Sequence, residues 1–198
     1  MAEPYPTISL VIPTIGRPTL ARTLASVRRQ TWFAGDEVLL LLDGPQPVAA
    51  ELWEQFGLPG RCVELPRSSP PDWGHTPRNV ALDRVLSRAA YLMALDDDDE
   101  LTTGAVATVR AALTAIPGRP HLFRMDGPRH GLLWADREIR LGNVGTPMFI
   151  APNDPSRLGR YTPRHGGDCD FIRDTVGRFP PESLVWREEV ICLVRPSA

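Results

Sequence analysis

With 198 residues, 42% of them hydrophobic and 23% charged, the chain is long enough for one domain with a full core and has the composition of a globular protein. Its formal net charge of −2 offers no electrostatic basis for holding nucleic acid or an anionic membrane surface. All 22 basic residues are arginine, which excludes a Schiff-base lysine, a P-loop lysine and a lysine general base, and leaves any cationic phosphate contact to arginine.

Ile8 to Ile12 reads as a buried first strand, broken by Pro13, Thr14 and Gly16. Leu20, Leu24 and Val27 then recur at helical spacing to about Gln30, with Pro18 where a first turn tolerates proline. Asp36 to Leu42 predicts a second buried strand ending at Asp43-Gly44-Pro45, followed by a short helix from about Val48 to Phe56. Arg61 to Leu65 predicts a third strand. A proline-rich loop, Pro66 to Gly74, then leads to a helix running to about Ser87, with Thr76 as its cap and Pro77 in its first position. This order predicts a doubly wound, mostly parallel α/β sheet with right-handed crossovers.

Tyr91 to Leu95 is an apolar run of the kind that forms a strand buried on both faces, and it ends in Asp96, Asp97, Asp98 and Asp99, with Glu100 behind. Two unit charges about 4 Å apart repel by roughly 4 kcal/mol at a protein surface, so four carboxylates at one strand end suit a cation held among them. Ligands of open α/β sheets collect at the carboxyl ends of strands, and hard oxygen donors there suit Mg²⁺ or Mn²⁺ bound with substrate phosphates. Taken alone, the cluster also reads as a solvated acidic turn ahead of the next helix. That helix is predicted from about Gly104 to Ala115. The remainder is looser: short strands near His121–Met125, Leu132–Ala135, Glu138–Leu141 and Met148–Ala151, a helix over Gly166 to Thr175, and a closing pair of strands, Leu184–Trp186 and Val190–Val194. The expectation is a single domain whose site lies between a nucleotide-type first half and a mixed second half.

The segments SLVIPTIGRPTLARTLASVRRQ, DEVLLLLDGP, HTPRNVAL and YLMALDDDDELTTGAV, in that order and spacing, resemble glycosyltransferase family 2, with its GT-A fold. The resemblance covers roughly residues 7 to 177 and is densest before residue 104. It implies a nucleotide-sugar-binding half over about 7–104 and an acceptor half over about 105–198. The implied activity is a metal-dependent, inverting transfer of a hexosyl or related sugar from a nucleotide sugar to a hydroxyl acceptor. A UDP-sugar is favoured, a GDP- or dTDP-sugar being the other options, and Mn²⁺ or Mg²⁺ is the implied cofactor. Carried over by position, Pro13, Thr14 and Asp43 would hold the nucleoside, with Arg17 and Asp97 in the same donor site. Arg78 would approach the ribose or diphosphate, and Asp96 and Asp98 would form the DxD motif, with Asp98 foremost as the direct metal ligand. HGGDCDF places the base at Asp168, with Asp170 as its rival. The chain departs from the pattern after the second strand, where Asp43 is followed by Gly-Pro and not by a second acid, which leaves the nucleoside open.

Two other readings compete: a sugar-nucleotide pyrophosphorylase-type nucleotidyltransferase, and a GT-A-like domain that binds without turnover. The first normally needs a glycine-rich loop and a basic residue on the phosphates, whereas Pro13 to Pro18 has one glycine and lysine is absent. His75, His130 and His165 read as loop and surface residues. Trp73 and Trp134 read as packing residues that could alternatively stack on an acceptor sugar. Arg124, Arg129, Arg137 and Arg140 could receive an anionic acceptor, although solvated faces explain them as well. Cys62, Cys169 and Cys192 lack CxxC spacing, and the N-terminus lacks a basic leader segment. No apolar run could span a bilayer. The expectation is therefore a cytoplasmic protein with no membrane span, of open oligomeric state.

Overall fold

The computed structural model describes residues 5–128 and 131–194. β1 (Ile8–Thr14), β2 (Glu37–Asp43) and β4 (Tyr91–Ala94) are buried along their whole length, as near-continuous apolar runs must be when a parallel sheet is covered on both faces. β3 (Gly60–Leu65) carries Arg61 and Glu64 and forms the partly exposed edge beside β2. β1 pairs in parallel with β2 and β4, with Thr14 opposite Leu42 and Val11 opposite Ala94, so their carboxyl ends share one edge.

The rest of the sheet comes from the second half of the chain: β5 (Glu100–Leu101), β6 (His121–Gly127), β7 (Gly131–Leu133), β8 (Phe149–Pro152) and β9 (Val185–Leu193). The spatial order is β3-β2-β1-β4-β8-β6-β9-β5, with β7 as a hairpin on β6, making nine strands among the described residues. β8 runs antiparallel to β4 and β6, so the parallel half passes into a mixed half along one continuous sheet.

The helices are α1 (Leu20–Arg28), α2 (Pro47–Phe56), α3 (His75–Asp83), α4 (Ala105–Ala115) and α5 (Gly167–Gly177). α1 buries Leu20, Leu24 and Val27, the i, i+4, i+7 face its spacing predicts. At the base of the sheet, Asp36 fastens three segments. Its carboxylate accepts from the backbone N–H groups of Ile8 (2.9 Å) and Phe33 (2.7 Å) and from Arg110 of α4 (2.6 and 3.3 Å). One contiguous hydrophobic core joins both halves. No helix among the described residues is long and apolar enough to cross a membrane.

Three expectations are corrected. The closing pair of strands is one strand, β9, whose ladder with β6 breaks register around Arg124; a bulge absorbs polar Arg187 to Glu189 without ending the strand. Glu138 to Leu141 is a loop, because buried Asn143 takes over its backbone bonding. The Asn143 amide donates to the carbonyls of Asp136 (2.9 Å) and Glu138 (2.7 Å) and accepts from Ala135 N–H (2.8 Å). α3 starts at His75 and ends at Asp83, not Ser87, because Val85 turns into the left-handed region at φ 48°. Its N-cap is Gly74 at φ 78°, not Thr76, which lies within the first turn, where the Asp72 carboxylate accepts from its N–H (2.8 Å) and its hydroxyl (2.6 Å).

Candidate active site

The shared carboxyl edge of β1, β2 and β4 opens into a cavity of about 360 Å³, lined by Pro13, Thr14, Arg17, Asp43, Trp73, Asp96, Asp97 and Asp98 among others. Register explains the gathering. Beyond Ala94 the chain keeps pace with β1, Leu95 N–H donating to Val11 O at 3.0 Å, which carries Asp97 level with Thr14. The Thr14 hydroxyl donates to the Asp97 carboxylate at 2.6 Å, and Arg17 reaches Asp97 (3.2 Å) and Asp98 (3.0 Å). Burial raises the Asp97 pKa against the opposing Thr14 bond and the Arg17 charge. Asp43, itself buried, accepts from Ser68 N–H at 2.5 Å and so ties the proline-rich loop to the end of β2.

The four aspartates do not share one environment. Asp97 faces β1, whereas Asp96, Asp98 and Asp99 each offer a carboxylate oxygen within 4.8 Å of the other two. α1 holds this turn from behind: Thr23 donates to Asp99 O (2.8 Å), and Arg22 pairs with Glu100 (3.0 Å). Three converging hard oxygens fit a divalent cation of the Mg²⁺ or Mn²⁺ kind. Asp99 is a member that sequence reading left without a role; the signal was its place in the acidic run, but not its inward direction.

Arg78 is 3% exposed and is not the surface arginine that helix position alone would allow. It donates to the Asp96 carboxylate and, through Nη1, to Trp73 O (3.2 Å), with its guanidinium 5.5 Å from the Tyr161 ring centre. Burial alone would lower its pKa, but Asp96 outweighs that and holds it charged. Asn79 clamps the neighbouring loop, donating to Tyr161 O (2.7 Å) and accepting from Tyr161 N–H (3.0 Å). Gly74, at φ 78°, lets this turn lie against β1, since a Cβ there would come within 2.7 Å of Pro13. Tyr161, stacked on Phe171 (4.1 Å) and His75 (5.6 Å), carries no sequence signal for its position.

A second cavity, of about 290 Å³, meets the first at Trp73 and Asp96 and is lined by residues including His75, Arg78, Met125, Leu133, Leu141, Val144, His165 and Asp168. Asp168 is in the first turn of α5 but is not its cap, a position taken by Gly166 at φ 85°. Burial raises its pKa, Asp96 adding to the effect, while Cys169 N–H (2.8 Å) opposes it. Gly167 has no side chain because a Cβ would meet the Thr162 carbonyl and the His75 ring, the latter at 2.7 Å. A third recess, of about 180 Å³, is bordered by Asp96, Asp99 and Asp168 together. Asp170 lines none of these cavities. It accepts from the Thr162 hydroxyl and pairs with Arg164 (2.6 Å) and Arg173 (3.5 Å), contacts that lower its pKa.

His75 is buried at the start of α3, not a surface loop residue, because its ring stacks on Tyr161; burial lowers its pKa. His165 is exposed on the cavity rim, and His130 lies outside the described residues. Trp134 is a core residue, edge-on to Trp186 at 5.1 Å. Arg124 and Arg137 lie over Trp134 (4.2 and 5.8 Å), and Arg140 pairs with Asp136 (2.7 Å) and Glu138 (3.2 Å); none of the three lines the cleft, and Arg129 lies outside the described residues.

Strand order, the acid cluster at the end of β4 and the paired cavities make this a mixed α/β domain of the GT-A-like type. No protein-family model matches the sequence, and no curated protein matches it. Solved structures share the fold. S. aureus TarS superposes with a TM-score of 0.78 at 16% identity, covering 96% of this chain and 37% of that one. TarS 1-349 in complex with UDP-GlcNAc gives 0.75 at 16% identity, over 97% of this chain and 59% of that one. Mannosyltransferase PcManGT from Pyrobaculum calidifontis, in complex with GDP-Man and Mn²⁺, gives 0.68 at 14% identity, over 97% and 60%. The chain thus spans at most about three fifths of the length of these structures.

Proposed function

We propose that this chain is a metal-dependent glycosyltransferase that moves a sugar from a nucleotide sugar to a hydroxyl acceptor with inversion. The observation that carries this reading is the meeting of two cavities at Asp96: one built from strand ends and the aspartate cluster, the other containing a buried carboxylate of raised pKa, Asp168. The similar folds of TarS with UDP-GlcNAc and PcManGT with GDP-Man and Mn²⁺ support the same reading. In this assignment Pro13, Thr14 and Asp43 border the nucleoside, and Arg17 and Arg78 flank the diphosphate. Asp96, Asp98 and Asp99 would hold Mn²⁺ or Mg²⁺. A bound divalent cation supplies Lewis-acid neutralisation of the leaving diphosphate.

Asp168 takes the proton of the acceptor hydroxyl as its oxygen bonds to the anomeric carbon. The bond from that carbon to the diphosphate oxygen breaks on the opposite face, and its electron pair leaves with the nucleoside diphosphate. Asp168 then returns the proton to solvent. A carboxylate whose pKa is raised toward working pH is the better base for this step. Asp170, bound to two arginines and a hydroxyl, is the poorer candidate. In this reading Asp43 would contact the base or ribose, with a UDP-sugar as the first donor to test, then GDP- and dTDP-sugars.

Calorimetric titration with UDP, GDP and dTDP, each with and without Mn²⁺, tests the reading. One nucleotide should bind in a Mn²⁺-dependent way; binding of none, or binding indifferent to metal, would remove the donor assignment. Metal-dependent nucleotide binding with no sugar transferred from any of the corresponding donors would leave the non-catalytic alternative.

A further inference from the structure

Trp73 stands at the junction of the two cavities with 59% of its surface in solvent, although tryptophan normally buries most of its area. Its position is held: Trp73 and Gly74 are consecutive left-handed residues (φ 61° and 78°), and the Trp73 carbonyl accepts from buried Arg78. His165 meets the indole edge-on at 6.2 Å, and the His75 ring lies tilted to it, also at 6.2 Å. The result is an open aromatic face with polar groups at its rim and the apolar side chains of Met125, Leu133, Leu141 and Val144 elsewhere in the same cavity.

Charge narrows what this wall can receive. The only guanidinium lining the second cavity among the described residues is Arg78, which is buried, donates to Asp96 and Trp73 O, and belongs to the donor side of the site. The acids there are Asp96 and Asp168. A phosphate or carboxylate on the acceptor side of this space would meet the Asp168 carboxylate, with no arginine of the described wall beyond the donor-side Arg78 to offset it. A pyranose ring has the opposite character: one or both faces of C–H groups, suited to an indole, and a rim of neutral hydroxyls suited to histidine and carboxylate partners.

We propose that the acceptor is an uncharged glycoside whose pyranose ring stacks on the exposed indole of Trp73, with its nucleophilic hydroxyl turned toward Asp168. This rests on the transferase reading above and adds the chemical class of the acceptor. The group transfer is the one already written: the glycoside hydroxyl gains the sugar, its proton passes to Asp168, and the nucleoside diphosphate leaves.

Saturation-transfer NMR on the full chain with UDP and Mg²⁺ tests it, using methyl glucoside, galactoside and mannoside, each beside its 6-phosphate and its uronate. The neutral glycosides should receive magnetisation, strongest at ring C–H positions, and the anionic partners less. Trp73→Ala should lower the neutral signals about fivefold, the scale of one lost aromatic contact, and Trp73→Phe should retain most of them. Equal or stronger signals from the anionic forms would overturn the charge argument, and signals indifferent to Trp73→Ala would overturn the stacking. Silence from every neutral glycoside while UDP binds would overturn the acceptor class and leave the donor reading standing. Absence of UDP binding, in a chain that still binds neutral glycosides through Trp73, would count against the transferase reading and support the sugar platform alone.

Discussion

Asp168 and Asp170 stand two residues apart on α5, about 200° apart around its axis, and their carboxyls face opposite surroundings. Asp168 turns into the cleft, where burial and Asp96 disfavour its charge. Asp170 turns to Thr162, Arg164 and Arg173, which favour its charge. For turnover, Asp168→Asn should lower the rate by about 10²–10⁴, the usual range for loss of a general base, with nucleotide affinity held within a few-fold. Asp170→Asn should leave most of the rate. Steady-state kinetics on both variants decides between them, and the reverse pattern would move the base by two residues.

The same contrast has a signature in stability. Because the folded pKa of Asp168 is raised, its ionised form destabilises the fold at high pH, and the cost disappears as pH falls through the folded value toward the unfolded one. Asp168→Asn should therefore melt higher than the parent at neutral pH, with the difference closing in acid. Asp170 has a lowered folded pKa, so its contribution is present above the unfolded value and is lost as pH falls through the folded one. Asp170→Asn should melt lower at neutral pH, again converging in acid. Melting temperatures across a pH series would show opposite signs for the two variants; matching signs would contradict the two environments.

Asp98→Asn should abolish the Mn²⁺ dependence of nucleotide binding, and Asp99→Asn should weaken it, because both carboxylates converge with Asp96. Asp97→Asn should be milder toward metal. The Asp97 carboxylate is turned to Thr14 and Arg17, and Asn keeps an oxygen that accepts from the Thr14 hydroxyl. Calorimetry with Mn²⁺ and the bound nucleotide separates these effects. Equal loss in all three variants would undo the division of roles within the cluster.

Arg78→Lys keeps the charge but not the fork that reaches Asp96 and Trp73 O together. It should weaken nucleotide binding and loosen the turn at Trp73, seen as a shift in tryptophan emission. An unchanged spectrum with intact affinity would mean that one of the two bonds suffices.

Asp36→Ala serves as a contrast far from the cleft. It leaves Arg110 unpaired beneath the sheet and removes the acceptor for two backbone N–H groups, at a cost of about 3–5 kcal/mol. Denaturant unfolding should show the loss while nucleotide affinity, measured where the variant is folded, stays near that of the parent.

Much of the first half was readable from residue order. Leu10 to Ile12, Val38 to Leu42 and Tyr91 to Ala94 are apolar runs of the kind that strands covered on both faces require, and parallel pairing of three such strands puts Thr14, Asp43 and Asp96 on one edge. That is local periodicity plus a topological rule, and neither needs distant contacts. The second half obeyed no such rule. β9 takes its partners from β6 and β5, and the Glu138 to Leu141 loop takes its bonds from Asn143, so their conformations were set by pairings that no short window contains. The site divides in the same way. Which acids could act was plain from the chain, but Asp96, Asp97, Asp98 and Asp99 are identical in sequence terms and differ only by what Thr14, Arg17, Arg78 and one another bring to them. Likewise, the difference between Asp168 and Asp170 comes from burial on one side of a helix and from Thr162 and Arg164 on the other. A carboxylate's chemistry depends on solvation and neighbouring charge, and those exist only once the chain has packed.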